Sequence, residues 1–257
     1  MASGRWCGPT DPRSTNPGPP DADPVPVPVP DPVPVPAVSG RCRRDGEPPG
    51  TIAAVEISVW FDPACPYCWM TSRWLVAVAP ERGLEIDWQP ISLLLKNCPE
   101  PDDPRVGTWA ASHRTLRVVE AVREAGHADR IGDLYTAFGR LMLHEEQIEV
   151  DIAAVLSELG LDPALATAAD DDRYDEAIQA SMEAAFALTG TDVGTPLIAL
   201  TDTDGERVGI FGPVITRFPE GDSGLRLWDG IVAVTCTPGF FELKRGRTGG
   251  PELPPLP

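Results

Sequence analysis

The hydrophobic pattern of this chain begins at residues 54–61 (AVEISVWF), a β-branched and aromatic run that reads as a buried strand. A turn, Asp62-Pro63-Ala64, leads into Cys65-Pro66-Tyr67-Cys68. Residues 69–79 then take up helical periodicity, with Trp74, Leu75 and Val78 on one face. Proline just inside a helix start is a favoured placement. Residues 84–95 read as a second strand and its exit. From about Arg105 to Thr189 almost everything is helical. The stretches VGTWAASHRTLRVVEAVREAG, IGDLYTAFGRLML, DIAAVLSELG and RYDEAIQASMEAAFAL carry i, i+3, i+4 apolar spacing, several closed by glycine. Asp162-Pro163 restarts a short helix after Gly160. Strand character returns at residues 196–201 (PLIALT) and 208–211, and a turn at Asp204-Gly205 makes these a hairpin. Residues 225–234 predict a last helix.

The order is therefore strand, helix, strand, helical block, hairpin, helix. That order predicts an α/β protein, a thioredoxin fold with an all-helical insertion. The fold is expected to be discontinuous, over residues 51–98 and 191–250, with residues 99–190 as the helical insertion.

Composition adds a third region. Of 257 residues 42% are hydrophobic, enough for a sizeable core, but fourteen of the thirty prolines fall in residues 1–50. There DPVPVPVPDPVPVP favours extended polyproline geometry and cannot pack a core, so residues 1–50 are expected to be a disordered tail, with Cys7 and Cys42 in it. The formal net charge of −18 argues against nucleic acid or an anionic membrane surface as partner, since both need clustered positive charge. No apolar run is long enough to cross a bilayer, and the first residues lack the apolar stretch of a secretory signal. The expected compartment is cytoplasmic, where a close cysteine pair points to catalysis or metal rather than a structural disulfide.

Of six cysteines only Cys65 and Cys68 are close in sequence. At a strand-to-helix turn this spacing puts two sulfurs on one helix face, close enough to bridge with little backbone movement. The first cysteine sits at the helix N-terminus, where free N–H groups and the dipole favour an anion. A free thiol has a pKa of about 8.5, and in such motifs it falls to roughly 3.5–7.5. Cys65 is thus the expected nucleophile and Cys68 the resolving thiol. Zinc would require a second ligand pair, and Cys98, Cys236, His113, His127 and His144 form none at comparable spacing, so no metal is expected. Two packed, unreactive cysteines are the remaining alternative.

A second feature is Val193-Gly194-Thr195-Pro196, immediately before a strand. It resembles the Thr-Pro or Val-Pro of thioredoxin-like folds, a resemblance that implies a cis peptide facing the cysteines and offering backbone groups to a substrate. An ordinary trans proline opening a strand is the alternative. Cys-Pro-Tyr-Cys is the tetrapeptide of glutaredoxins, but here the helical block separates Cys65 from Pro196, a layout that resembles DsbA. The stretch WFDPACPYCWMTSRW, the Val193–Pro196 tetrapeptide, Phe211-Gly212-Pro213-Val214, Leu227-Trp228-Asp229 and FFELKR together resemble the DsbA-like family of mycothiol-dependent nitroreductases of high-GC Gram-positive bacteria.

The resemblance implies a cytosolic enzyme cycling between dithiol and disulfide, reducing nitro-aromatic compounds or disulfides without a tightly bound cofactor. Mycothiol, or a similar low-molecular-weight thiol, would be the cosubstrate, and a small molecule the other partner, with a homodimer left open. Cys65 and Cys68 carry over as the redox pair and Thr195-Pro196 as the cis-proline loop. Tyr67, Trp69, Asn97 and His144 are the further substrate-binding candidates. The family more often has Trp where Tyr67 stands, and residues between the cysteines help set the reduction potential. Two alternatives remain: a general DsbA-type protein disulfide oxidase or isomerase, and an isomerase resembling kappa-class glutathione transferases. The latter keep a single Ser or Cys at the first position, so Cys68 counts against them.

Overall fold

The computed structural model describes residues 55–202 and 205–254. The expected tail over residues 1–50, with Cys7 and Cys42, lies outside the described residues, as do Ala54 and Asp204 of the hairpin turn. Four strands form one sheet in the order β2-β1-β3-β4. β1 (Val55–Phe61) runs parallel to β2 (Leu84–Pro90), and β3 (Leu197–Thr201) pairs antiparallel with both β1 and β4 (Arg207–Phe211). The register sets Val59 opposite both Trp88 and Ile198, and Ile198 opposite Ile210. A β-α-β unit followed by an antiparallel hairpin and a helix is the thioredoxin fold.

Every side chain from Ile57 to Phe61 is buried, which is why β1 reads as a continuous run rather than an alternating one. Successive side chains point to opposite faces. Trp60 donates its Nε1–H to Ser181 O of α6 (Asp175–Thr189), while Phe61 stacks on Tyr135 of α4 (Ile131–Gly139) at 4.2 Å between centroids. Helices from the long helical segment therefore cover both faces near the strand's C-terminal end.

α1 (Pro66–Arg82) starts with proline in its first turn and runs three residues past the expected end at Ala79, through Pro80, to a left-handed cap at Gly83 (φ 62°). It is fastened to α7 (Gly221–Thr235) by Trp74 against Trp228, by the Trp74 Nε1–H donated to Gly224 O, and by a bidentate Arg82–Asp229 pair. The Leu227-Trp228-Asp229 signature is thus a clamp on the helix that carries the cysteines.

The expected second strand is shorter than residues 84–95. It stops at Pro90, and Ser92 caps a short helix α2 (Leu93–Asn97) by accepting from Leu95 N. The run Leu93-Leu94-Leu95 carries no periodicity that separates a strand exit from a helical turn. α3 (Val106–Glu124), α4 and α5 (Ile152–Glu158) follow, with a π-helical turn, Arg140–His144, prolonging α4. His113, one of the scattered histidines of the sequence, is a core residue of α3. Its two ring nitrogens lie 3.0 Å from Ser92 Oγ and 3.0 Å from Asp175 Oδ1, tying α2, α3 and α6 together.

Candidate active site

β1 ends at Phe61, and the chain turns at Asp62 before α1 begins. Cys65 N donates to Asp62 O, and Ala64 N to Asp62 Oδ1, so the turn is held by one residue's backbone and side chain. Cys65 is the N-cap of α1, in extended geometry (φ −89°, ψ 110°), and its Sγ accepts from Cys68 N at 3.4 Å. A sulfur occupies the position usually held by a hydroxyl or carboxylate oxygen, where the helix's unpaired N–H groups stabilise negative charge. Thr195 brings its Oγ1 to 3.1 Å from Cys65 Sγ, and the Thr195–Pro196 peptide is cis, as expected. Both cysteines are free thiols, Cys65 5% exposed and Cys68 2%. Trp60 O lies 3.9 Å from Cys68 Sγ.

These contacts pull the two thiols apart in acidity. Donation from the Cys68 thiol lowers the pKa of Cys65, against the opposing effect of burial, and the Thr195 hydroxyl and Cys68 N–H add to it. Burial pushes Cys68 well above the ordinary thiol range, and its role as donor to Cys65 pushes it further. The first thiol is thus made the more acidic and the second the less acidic, the difference that stepwise disulfide exchange would need.

A second proline contact lies behind the first. Gly212–Pro213 is also cis; Gly212 N donates to Pro196 O, and Pro213 O accepts from Thr71 Oγ1 of α1. The Phe211-Gly212-Pro213-Val214 signature therefore braces the cis-proline loop against the cysteine helix. In the sequence Gly212-Pro213 is a family mark only, since one partner, Pro196, lies 16 residues back and the other, Thr71, 142 residues back.

The other candidates are placed as follows. Tyr67 is half-buried, with the Arg247 guanidinium 5.2 Å from its ring centroid. Trp69 is fully buried in the core. Its ring meets Tyr135 at 6.0 Å and His144 at 5.4 Å, both edge-on, and Arg73 lies over it at 4.6 Å. His144 is thus brought to Trp69, and its Nε2 is buried with no hydrogen-bond partner among the described residues. Asn97 is exposed and donates its Nδ2–H to Leu93 O, closing α2.

Two residues near the pair escaped the sequence reading. The Asp62 carboxylate is wholly buried and accepts from Ala64 N, from Ser112 Oγ at 2.5 Å and from Leu93 N at 2.8 Å. Burial raises its pKa to about 6, against the lowering effect of those donors, and its charge raises that of Cys65. Its only signal was a carboxylate three residues ahead of the first cysteine. Ser112 lies inside an ordinary helical pattern and gave none. Among the described residues no group of three or more His, Cys, Asp or Glu side chains could hold a metal ion, and no helix is long and apolar enough to cross a membrane.

The chain is similar to several known proteins. A curated relative, the uncharacterized protein Rv2286c of Mycobacterium tuberculosis, is 27% identical over 193 residues, covering 73% of this chain and 80% of that protein. Among solved structures, the cytosolic disulfide reductase DsbM from Pseudomonas aeruginosa superposes with TM-score 0.47 at 17% identity, over 70% of this chain and 97% of that one. Oxidoreductase DsbA from Xylella fastidiosa does so with TM-score 0.44 at 21% identity, over 74% and 90%. The family model described as Rv2466c-like, mycothiol-dependent nitroreductase Rv2466c, matches residues 64–245, from the turn before the cysteines to the end of FFELKR. The chain belongs to that family and is a thiol-dependent oxidoreductase.

Proposed function

We propose that Cys65 and Cys68 form a cytosolic redox pair that takes electrons from mycothiol or a similar low-molecular-weight thiol and delivers them to small electrophiles. The observation that carries this reading is the Cys65 sulfur at the N-cap of α1, hydrogen-bonded from Cys68 and beside the Thr195 hydroxyl of the cis-proline loop. With a small disulfide, the Cys65 thiolate attacks one sulfur and expels the other as thiolate. Cys68 then displaces the first, leaving a Cys65–Cys68 disulfide and two reduced thiols. With a nitro-aromatic compound, the dithiol supplies two electrons and two protons, giving a nitroso product and water. Two molecules of the thiol donor then restore the dithiol and leave as their own disulfide. Thr195 and Pro196 line the approach, Tyr67 stands between the cysteines, and Trp69, His144 and Asn97 are assigned supporting places around it.

The test is turnover by the purified full chain with mycothiol, glutathione and a thioredoxin system as alternative donors, against a nitro-aromatic compound and a folded protein disulfide. Mycothiol should be the best donor. Its kcat/KM toward the small substrate should exceed that toward the protein disulfide by at least about tenfold, roughly 1.4 kcal/mol in transition-state terms. Equal or better turnover of the protein substrate would overturn the small-molecule assignment. Dependence on thioredoxin alone would overturn the donor.

A further inference from the structure

The chain carries only two lysines and a net charge of −18, yet Lys244, Arg245 and Arg247 fall within four residues. This run follows α7, on a segment that leaves the body after Phe240 N donates to Thr237 O and is tied down again where Glu252 N donates to Thr216 O. Residues 241–250 are exposed throughout, Phe241 and Leu243 at 90% and 81%. Among the described residues no carboxylate lies within ion-pair distance of any of the three cations, as is also true of Arg73, Lys96, Arg207 and Arg226, while the other described arginines each have one. The segment is not remote from the chemistry. The Arg247 guanidinium sits over the ring of Tyr67, 5.2 Å from its centroid, within the range of a cation–π contact. Tyr67 stands between the two cysteines in sequence, so the contact brings a cation to the Cys-Pro-Tyr-Cys turn itself.

A protein this acidic repels anions at long range, and a local cation at the site offsets that repulsion only for a ligand that comes close. Guanidinium recognises planar oxyanions with two parallel hydrogen bonds, which an ammonium does not match. We infer that Arg247, held over Tyr67 and supported by Lys244 and Arg245, recognises a carboxylate on the small disulfide or electrophile that Cys65 attacks. The inference rests on the dithiol reading above and adds the charge class of the substrate.

Two aromatic disulfides of opposite character separate the possibilities. 5,5′-Dithiobis(2-nitrobenzoate) carries two carboxylates, and 2,2′-dithiodipyridine carries none. Each is attacked by the Cys65 thiolate and released by Cys68 as two thiols, so stopped-flow absorbance reads the same balanced step for both. With the reduced full chain at low ionic strength, Arg247→Ala should slow the dianionic probe about threefold and Arg247→Glu about tenfold, the scale of one or two unit charges a few ångströms away in water. Arg247→Lys should fall between wild type and Arg247→Ala, and all three should react with the neutral probe within about twofold of wild type. Loss of the dianion effect in high salt should accompany this. Equal slowing of both probes, or of neither, would overturn the inference while leaving the dithiol reading intact. If the wild-type dithiol reacted with neither probe, both would fall.

Discussion

Among the described residues no basic side chain adds to the acidity of Cys65. Its acidity comes from donors that lie within one helical turn or one loop, namely the Cys68 thiol and N–H and the Thr195 hydroxyl. Because the Cys68 thiol is the largest of these, Cys68→Ala should raise the Cys65 pKa, and ultraviolet titration of the thiolate is the direct measurement. Thr195→Val should raise it too, by less. An unchanged titration in Cys68→Ala would mean the helix terminus alone activates the thiol. Asp62 contributes in the opposite sense, since its buried charge raises Cys65. The carboxyl itself has a folded pKa of about 6 against 3.8 for the free group. A raised folded pKa stabilises the protonated, folded form; that contribution is complete below pH about 4 and lost as pH rises through about 6. The stability of wild type relative to Asp62→Asn should therefore fall between pH 4 and 7, by up to about 3 kcal/mol. Urea denaturation of both proteins across that range measures it, and a flat difference would place the Asp62 proton elsewhere.

At the scale of elements, two glycines decide how α4 docks. Gly132 and Gly139 are seven residues apart and so share one helix face. A Cβ on Gly139 would lie 2.4 Å from Trp69 Cζ3, and one on Gly132 2.7 Å from Trp88 Nε1. The bare backbone thus lets two tryptophans, one on the cysteine helix and one on β2, lie flush against α4. Neither glycine has a positive φ, so close approach, not backbone freedom, is what requires them. Gly139→Ala must push a fully buried indole or part α4 from α1, and overpacking of this kind costs about 1–3 kcal/mol. A lowered denaturation midpoint with an unchanged slope is the expected result. No loss of stability would show that the helix pair yields without penalty. Because Trp69 follows Cys68 directly, the same variant should also disturb the thiolate titration.

Across the whole molecule, the surroundings of one sulfur are drawn from the length of the chain. Asp62 and Cys68 come from beside it, Thr195 from the cis-proline loop, Ser112 and Leu93 through Asp62, and Arg247 from beyond the last helix over Tyr67. The helical segment between β2 and β3 reaches the reacting pair through Ser112 below it and through Tyr135 and His144 against Trp69. The C-terminal signatures act at a distance as well, Trp228 and Asp229 clamping α1 and Pro213 accepting from Thr71.

What the sequence determined by itself is what short-range physics encodes. Strand β1, the proline-started helix and the two cysteines on one face follow from periodicity and capping within about twenty residues. The hairpin was likewise legible from its two apolar runs and the turn between them, whereas the cis Thr195–Pro196 before it followed from the resemblance to thioredoxin-like folds. Only the tertiary structure decided the chemistry around them. Asp62 has an ordinary carboxylate's sequence context, and its pKa of about 6 exists because Ser112, Leu93 and the covering helices remove water from it. Trp69 and His144 had sequence positions but no known neighbours until Gly139 let α4 close on α1. Asn97 donates to Leu93 O and closes its own helix, a contact that exists only because residues 93–97 turn helical. Hydrogen bonds, desolvation and charge act through space over a few ångströms, and the sequence records only separation along the chain, which for these pairs runs from a few residues to more than a hundred.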